Sequence, residues 1–111
     1  MRALSIRQPY VEQILRGVKK VEYRTRPTRL IGETFYIYAA RTPGPTAEFA
    51  AIAPGCEPGD LPTGLIVGTA VISHCTNGRP GIYEWHLTEV ERLARPRKPK
   101  RMPQPVWFQP F

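Results

Sequence analysis

Thirteen prolines divide this 111-residue chain into short pieces. Proline fixes φ and carries no N–H, so it ends helices and interior strands and is tolerated at helix starts and in turns. Pro9 suits the first position of a helix. Pro27 stops a strand. Five prolines and four glycines between Thr42 and Gly64 make that stretch mostly loop. Pro80-Gly81 marks a turn, as does Asn77-Gly78 just before it. Pro96, Pro99 and Pro103 bar a helix near the C-terminus and favour extended, polyproline-like chain.

Between these breaks the apolar pattern assigns the elements. Leu4 and Ile6 alternate with Ser5 and Arg7, which predicts a short strand over Ala3 to Arg7. Val11, Ile14 and Leu15 fall at helical spacing, Glu12 lies in the first turn, and Gly17 fits just past the end. The spacing predicts a two-turn helix over Pro9 to Arg16. Thr34 to Ala40 is β-branched, aromatic and apolar nearly throughout, hence a strand central in its sheet. Thr46 to Ile52 reads as a second two-turn helix capped by Thr46. Leu65 to Cys75 and Ile82 to Leu93 read as long strands. Gly68 inside the first suggests a bulge, a bend or a close backbone approach. Val106-Trp107-Phe108 reads as a last short strand. These elements predict a single α+β domain over residues 1–111, mainly β: a small barrel of five to six strands with two short helices at its mouth. The basic, Pro-rich segment 92–105 is expected to cross the surface before the last strand.

Charge is distributed unevenly. Residues 1–41 carry nine basic and three acidic side chains, residues 42–91 one and six, and residues 92–111 six and none. Twelve of the sixteen basic residues are Arg, whose planar fork suits phosphate and base edges. A basic front and tail around an acidic middle suit an anionic partner such as nucleic acid; an Arg-rich, solubilising surface is the plainer reading. No apolar run reaches the ~18 residues of a membrane span. The apolar stretch at the N-terminus is too short for a signal peptide, so a cytoplasmic protein is expected. Cys56 and Cys75 are too few for a disulfide scaffold and are read as free thiols. They form no Cys-x-x-Cys pair, His74 and His86 form no His-x-x-x-His pair, and no metal or other cofactor is expected.

The densest charge lies between Gly17 and Arg26. As a strand, Lys20 to Arg26 would put Lys20, Glu22, Arg24 and Arg26 on one face and Val21 and Tyr23 on the other, core-facing side. Lys19 sits in the turn before it. Beside Glu22, Lys19 could hold a proton for acid–base chemistry or read a base edge, while Arg24 and Arg26 could neutralise phosphates. A solvated face with weak ion pairs accounts for the same residues. Upstream, Arg7 and Gln8 stand where the first strand becomes the helix. Gln8 could pair with a base or simply cap that helix. Trp85 could lid a cleft or pack in a core; His74 and His86 read as structural. Glu84 is the best second carboxylate. The basic run Arg95 to Arg101 could track a phosphate backbone or merely be solvated.

Two motifs resemble a known family. Gly17, Lys19, Glu22 and Arg24 fit Gly-x-Lys-x-x-Glu-x-Arg, and Ser5-Ile6-Arg7-Gln8-Pro9-Tyr10 looks like the Ser-x-Arg-Gln-Pro-Tyr opening of the ASCH domain, within the PUA-like superfamily. Tyr83 to Leu87 and Val106 to Phe108 look like its closing strands, so the resemblance spans nearly the whole chain. It implies a PUA-like β-barrel with a basic cleft lined by the Gly17–Arg24 motif. It also implies binding of RNA, other nucleic acid or a modified nucleoside. The binding residues would be Arg7, Gln8, Lys19, Lys20, Glu22, Arg24, Arg26 and Trp85. Some small members of the family are similar to amidohydrolases that deacylate N4-acylated cytosine nucleosides, with Lys at the position of Lys19, Thr at that of Glu22, and a carboxylate from a later strand. Here position 22 is Glu, which has no hydroxyl to attack an acyl carbon. Catalytic roles would then fall to Lys19, Glu22 and Glu84. The resemblance leaves activity open between binding and hydrolysis; an accessory domain meeting an acidic protein is a third reading.

Overall fold

The computed structural model describes all residues, Met1–Phe111. In chain order the elements are β1 (Ala3–Ile6), α1 (Tyr10–Leu15), β2 (Val21–Arg24), β3 (Thr34–Ala39), 3-10 helices at Thr46–Ala51 and Pro58–Asp60, β4 (Leu65–Arg79), β5 (Ile82–Arg97) and β6 (Trp107–Phe108). The six strands form one sheet in the order β2-β5-β4-β3-β1-β6. β1 and β3 run parallel, with Ile6 opposite Ala39, and the other pairs are antiparallel. The ladder is open: β2 and β6 are its two edges, with no backbone pairing to close it into a barrel. A side chain spans the gap instead, where Arg24 Nη2 donates to the Ser5 carbonyl of β1 at 2.9 Å.

Alternation on the inner strands explains why β3 is apolar throughout. Phe35, Ile37 and Ala39 join Leu4, Ile6, Val67, Ala70 and Ile72 in the main core, together with Val11 and Ile14 of α1. Tyr38 points the other way, into a second cluster with Ala3, Ile66 and Phe108, against which Leu93 and Phe111 pack. Phe108 and Phe111 thus cover the second face, while Trp107 packs against the main core.

Several sequence expectations change. The stretch from Thr46 is a 3-10 helix over Thr46–Ala51, not two α-turns, and Pro45 rather than Thr46 occupies its cap position. Such tight helices are used in short pieces, and the fully buried Phe49 anchors this one. Asn77-Gly78 makes no turn. β4 continues to Arg79 and the reversal falls at Pro80-Gly81. A Cβ at Gly78 would lie 2.7 Å from the Glu84 carboxylate, the movable end of that side chain. Arg92 to Arg97 is strand rather than polyproline, because Leu93 has the second core cluster to pack against. Gly68 is a close approach: a Cβ would meet the Glu91 carbonyl oxygen at 2.7 Å.

The faces of β2 are also the reverse of the expectation. Glu22 is 8% exposed and Tyr23 55% exposed. Glu22 turns inward because its carboxylate has cations to meet there, while Tyr23 stays exposed and lines the cleft.

Candidate functional site

Gly17 ends α1 with φ +77°, a conformation that costs glycine least. The backbone N–H groups of Val18 and Lys19 then both bond to the Gln13 carbonyl, at 3.0 and 3.1 Å. This pinned turn sets the direction of Lys19. Its Nζ lies 3.7 Å from Glu22 Oε1, and 5.8 and 4.9 Å from the ring centres of Tyr10 and Tyr23. Arg24 approaches Glu22 from the other side. Its Nε and Nη2 donate to Oε2 at 3.0 and 2.8 Å. One buried carboxylate therefore organises two cations, and Oε1 keeps capacity to accept a hydrogen bond from outside.

These three side chains line a cleft of about 870 Å³. Arg7 and Ser5 of the β1 end, Tyr10, Arg41 and Thr42 beyond β3, and the segment 102–106 complete its wall. Four cations and one carboxylate thus share its lining. Val106 holds φ +66°, a strained conformation for a β-branched residue of the kind found at ligand sites. Its carbonyl accepts from the Ser5 N–H at 3.1 Å, which ties the segment to β1.

The sequence-derived site residues divide. Arg7, Lys19, Glu22 and Arg24 come together in the cleft. Gln8 does not join them: it is fully buried. Its Nε2 donates to the Pro62 carbonyl and its Oε1 accepts from the Glu12 N–H, both at 3.0 Å. It caps α1, leaving that helix start no anion site. Trp85 is 2% exposed, stacks on Trp107, donates to the Arg26 carbonyl at 3.0 Å and supports the Arg24 guanidinium from 5.7 Å. It is a wall behind Arg24 and no lid. Lys20 and Arg26 are exposed outside the cleft lining. Glu84 also lies outside it, accepting from Thr76 Oγ1 at 2.7 Å. Thr76 in turn contacts His86, which stacks on His74 at 4.0 Å. Parallel stacked rings cannot aim lone pairs at one ion, and no group of three or more His, Cys, Asp or Glu side chains could hold a metal.

Sequence reasoning missed Tyr10, Arg41 and the 102–106 segment as site residues. Tyr10 stood inside the quoted opening motif, a usable signal. Arg41 carried none, because only the parallel pairing of β1 with β3 brings it beside Arg7.

A second buried carboxylate lies on α1. Glu12 receives Arg92 Nη1 and Nη2 at 3.0 and 2.8 Å and Arg16 Nε at 2.7 Å. Burial pushes its carboxyl up, but the hydrogen bonds and charges of Arg92 and Arg16 together outweigh that, and the net direction is down. The Arg92 guanidinium is raised, chiefly by its hydrogen bond to Glu12. This triad fastens α1 to β5.

No curated protein matches the chain. A family model described as the ASCH domain matches residues 4–100, a span holding both sequence motifs and every element but β6. The chain belongs to the ASCH domain family.

Proposed function

We infer that this ASCH domain binds single-stranded nucleic acid, RNA first, or a modified nucleotide, in the cleft built on Lys19, Glu22 and Arg24. The observation that carries this is the convergence of that charged trio with two tyrosine rings and two further arginines in one cavity. Its volume of about 870 Å³ suits a nucleotide-sized ligand. Tyr10 and Tyr23 offer stacking faces on either side of Lys19, and stacking is worth about 1–3 kcal/mol per base. Glu22 Oε1 accepts an N–H from a base edge, while Arg24, fixed by Glu22 and Ser5, holds that carboxylate in place. The basic segment Lys98 to Arg101 precedes the cleft wall and adds long-range attraction.

The amidohydrolase alternative has less support. Glu84, the second carboxylate that it needs, lies outside the cleft lining and is bonded to Thr76, and position 22 offers no hydroxyl. Incubation with N4-acetylcytidine is expected to give no deacylation above a Glu22→Gln control; clear turnover by the wild type alone would restore it.

Fluorescence anisotropy with a labelled single-stranded RNA tests the binding. Lys19→Ala with Arg24→Ala should weaken affinity at least about tenfold, since each removes a charge-assisted contact or its support. Glu84→Gln should leave it within twofold. Unchanged affinity in the double variant would contradict the proposal.

A further inference from the structure

The four cations lining the cleft fall into two kinds. Glu22 pairs with Lys19 and Arg24. The remaining ion pairs belong to Glu12, so Arg7 and Arg41 have no carboxylate partner. These two leave the C-terminal ends of adjacent parallel strands. Ile6 of β1 stands opposite Ala39 of β3, and the Ala40 N–H continues the ladder to the Ile6 carbonyl at 2.8 Å. Arg7 and Arg41 follow directly, both exposed and both lining the cleft.

Their placement is held by the backbone. The Gly44 N–H donates to the Gln8 carbonyl at 2.7 Å, and a Cβ at Gly44 would lie 3.2 Å from both that oxygen and the Tyr10 ring. The loop carrying Arg41 is thereby pressed against the residues that follow Arg7. Two like charges that line one cleft without a counter-charge favour an anion there.

A third group points the same way. Tyr38 lines the cleft and is 1% exposed, yet its hydroxyl is buried without a hydrogen-bond partner. Arg41 Cγ and Nε and Tyr38 Oη all lie within 4.0 Å of the position a Gly64 Cβ would take. A buried hydroxyl without an acceptor is costly, and beside an unpaired guanidinium it is a donor set for an acidic oxygen.

Resting on the nucleotide reading above, we propose that Arg7 and Arg41, with the Tyr38 hydroxyl, form a phosphate clamp. The unit recognised is then a nucleotide bearing its phosphate and not a bare nucleoside. Lys19, Glu22 and Arg24 serve the base; Arg7 and Arg41 serve the phosphate. The phosphate is either an internal one of a strand or that of a free mononucleotide.

Isothermal titration of the full chain separates these. The probes are the four nucleosides, their 5′- and 3′-monophosphates, and a short single-stranded RNA. Wild type should prefer a monophosphate over its nucleoside by at least about tenfold, the worth of one charge-assisted contact. Arg7→Gln with Arg41→Gln should abolish that preference without lowering the melting temperature, since both side chains are exposed. Tyr38→Phe should weaken the monophosphate several-fold while raising the melting temperature. Parallel loss of RNA affinity in the arginine variant assigns the clamp to strand phosphates; loss for mononucleotides alone assigns it to free nucleotides. A wild-type phosphate preference retained in the double variant would overturn the clamp while leaving nucleic-acid binding intact. Failure of wild type to bind any probe would overturn both.

Discussion

Glu12 and Glu22 are the two buried acids of this chain, and each is neutralised by two cations from different places. Glu12 has a stability role. Its carboxyl sits below the ordinary value of 4.5, so the triad's contribution is complete above that pH. It is lost as pH falls through the lowered folded-state value, where the carboxylate must protonate. Glu12→Gln should therefore cost about 1–2 kcal/mol at pH 7, a figure discounted because both guanidinium groups are half exposed. Urea denaturation at pH 7 and again below pH 4 checks this: the gap between wild type and variant should narrow in acid, and an equal gap at both would refute it. Glu22 carries the proposed binding role, and its neighbours Lys19 and Arg24 were readable from motif spacing. Gln8 and Trp85 were left open between a binding and a structural role, because a side chain's hydrogen-bonding capacity does not reveal whether the protein already uses it. The carbonyl that occupies Gln8 Nε2 belongs to Pro62, 54 residues away, and no local pattern announces that.

At the scale of elements, periodicity located the strands well and their orientation less well. β1, α1, β3 and β6 stand close to where apolar spacing puts them. For β2 the period of two was right and the inward face was wrong. Hydrophobicity favoured Val21 and Tyr23 as core, whereas the ion pairs of Glu22 bury that carboxylate and leave Tyr23 exposed. Turn chemistry misled at Asn77-Gly78, because β4 runs through it and the reversal falls at Pro80-Gly81. Gly68, for which a close backbone approach was one of three readings, permits a sharp test. A Cβ there would meet Leu15 Cδ2 at 2.6 Å and the Glu91 carbonyl oxygen at 2.7 Å. The leucine can swing aside; the backbone of β5 cannot. Gly68→Ala should destabilise by about 1–3 kcal/mol in chemical denaturation. Gly59→Ala, whose Cβ meets nothing within 4 Å, should stay within about 0.5 kcal/mol. Equal effects would refute the close-approach assignment.

Over the whole molecule, the fold brings side chains of the basic N-terminal third and the uncharged segment 102–106 to one cleft, while the acidic middle supplies β4, most of β5 and their hairpin. The sequence showed this asymmetry but not the meeting, which depends on the parallel β1–β3 pairing and on β6 returning to β1. The open ladder was likewise hidden, because short strands and turns fit open and closed sheets alike. Binding through two to four phosphates predicts that log K falls against log salt with a slope of about −1.5 to −3 for a single strand. A slope near zero would point to apolar contacts instead. The most direct test of the central claim maps the bound surface. Backbone amide chemical shifts, recorded as a short single-stranded RNA is titrated in, should move at Arg7, Tyr10, Lys19 to Arg24, Arg41 and 102–106, and stay still at the hairpin tip from Asn77 to Ile82. Shifts concentrated on that tip, or none at saturating RNA and low salt, would contradict the assignment of the cleft.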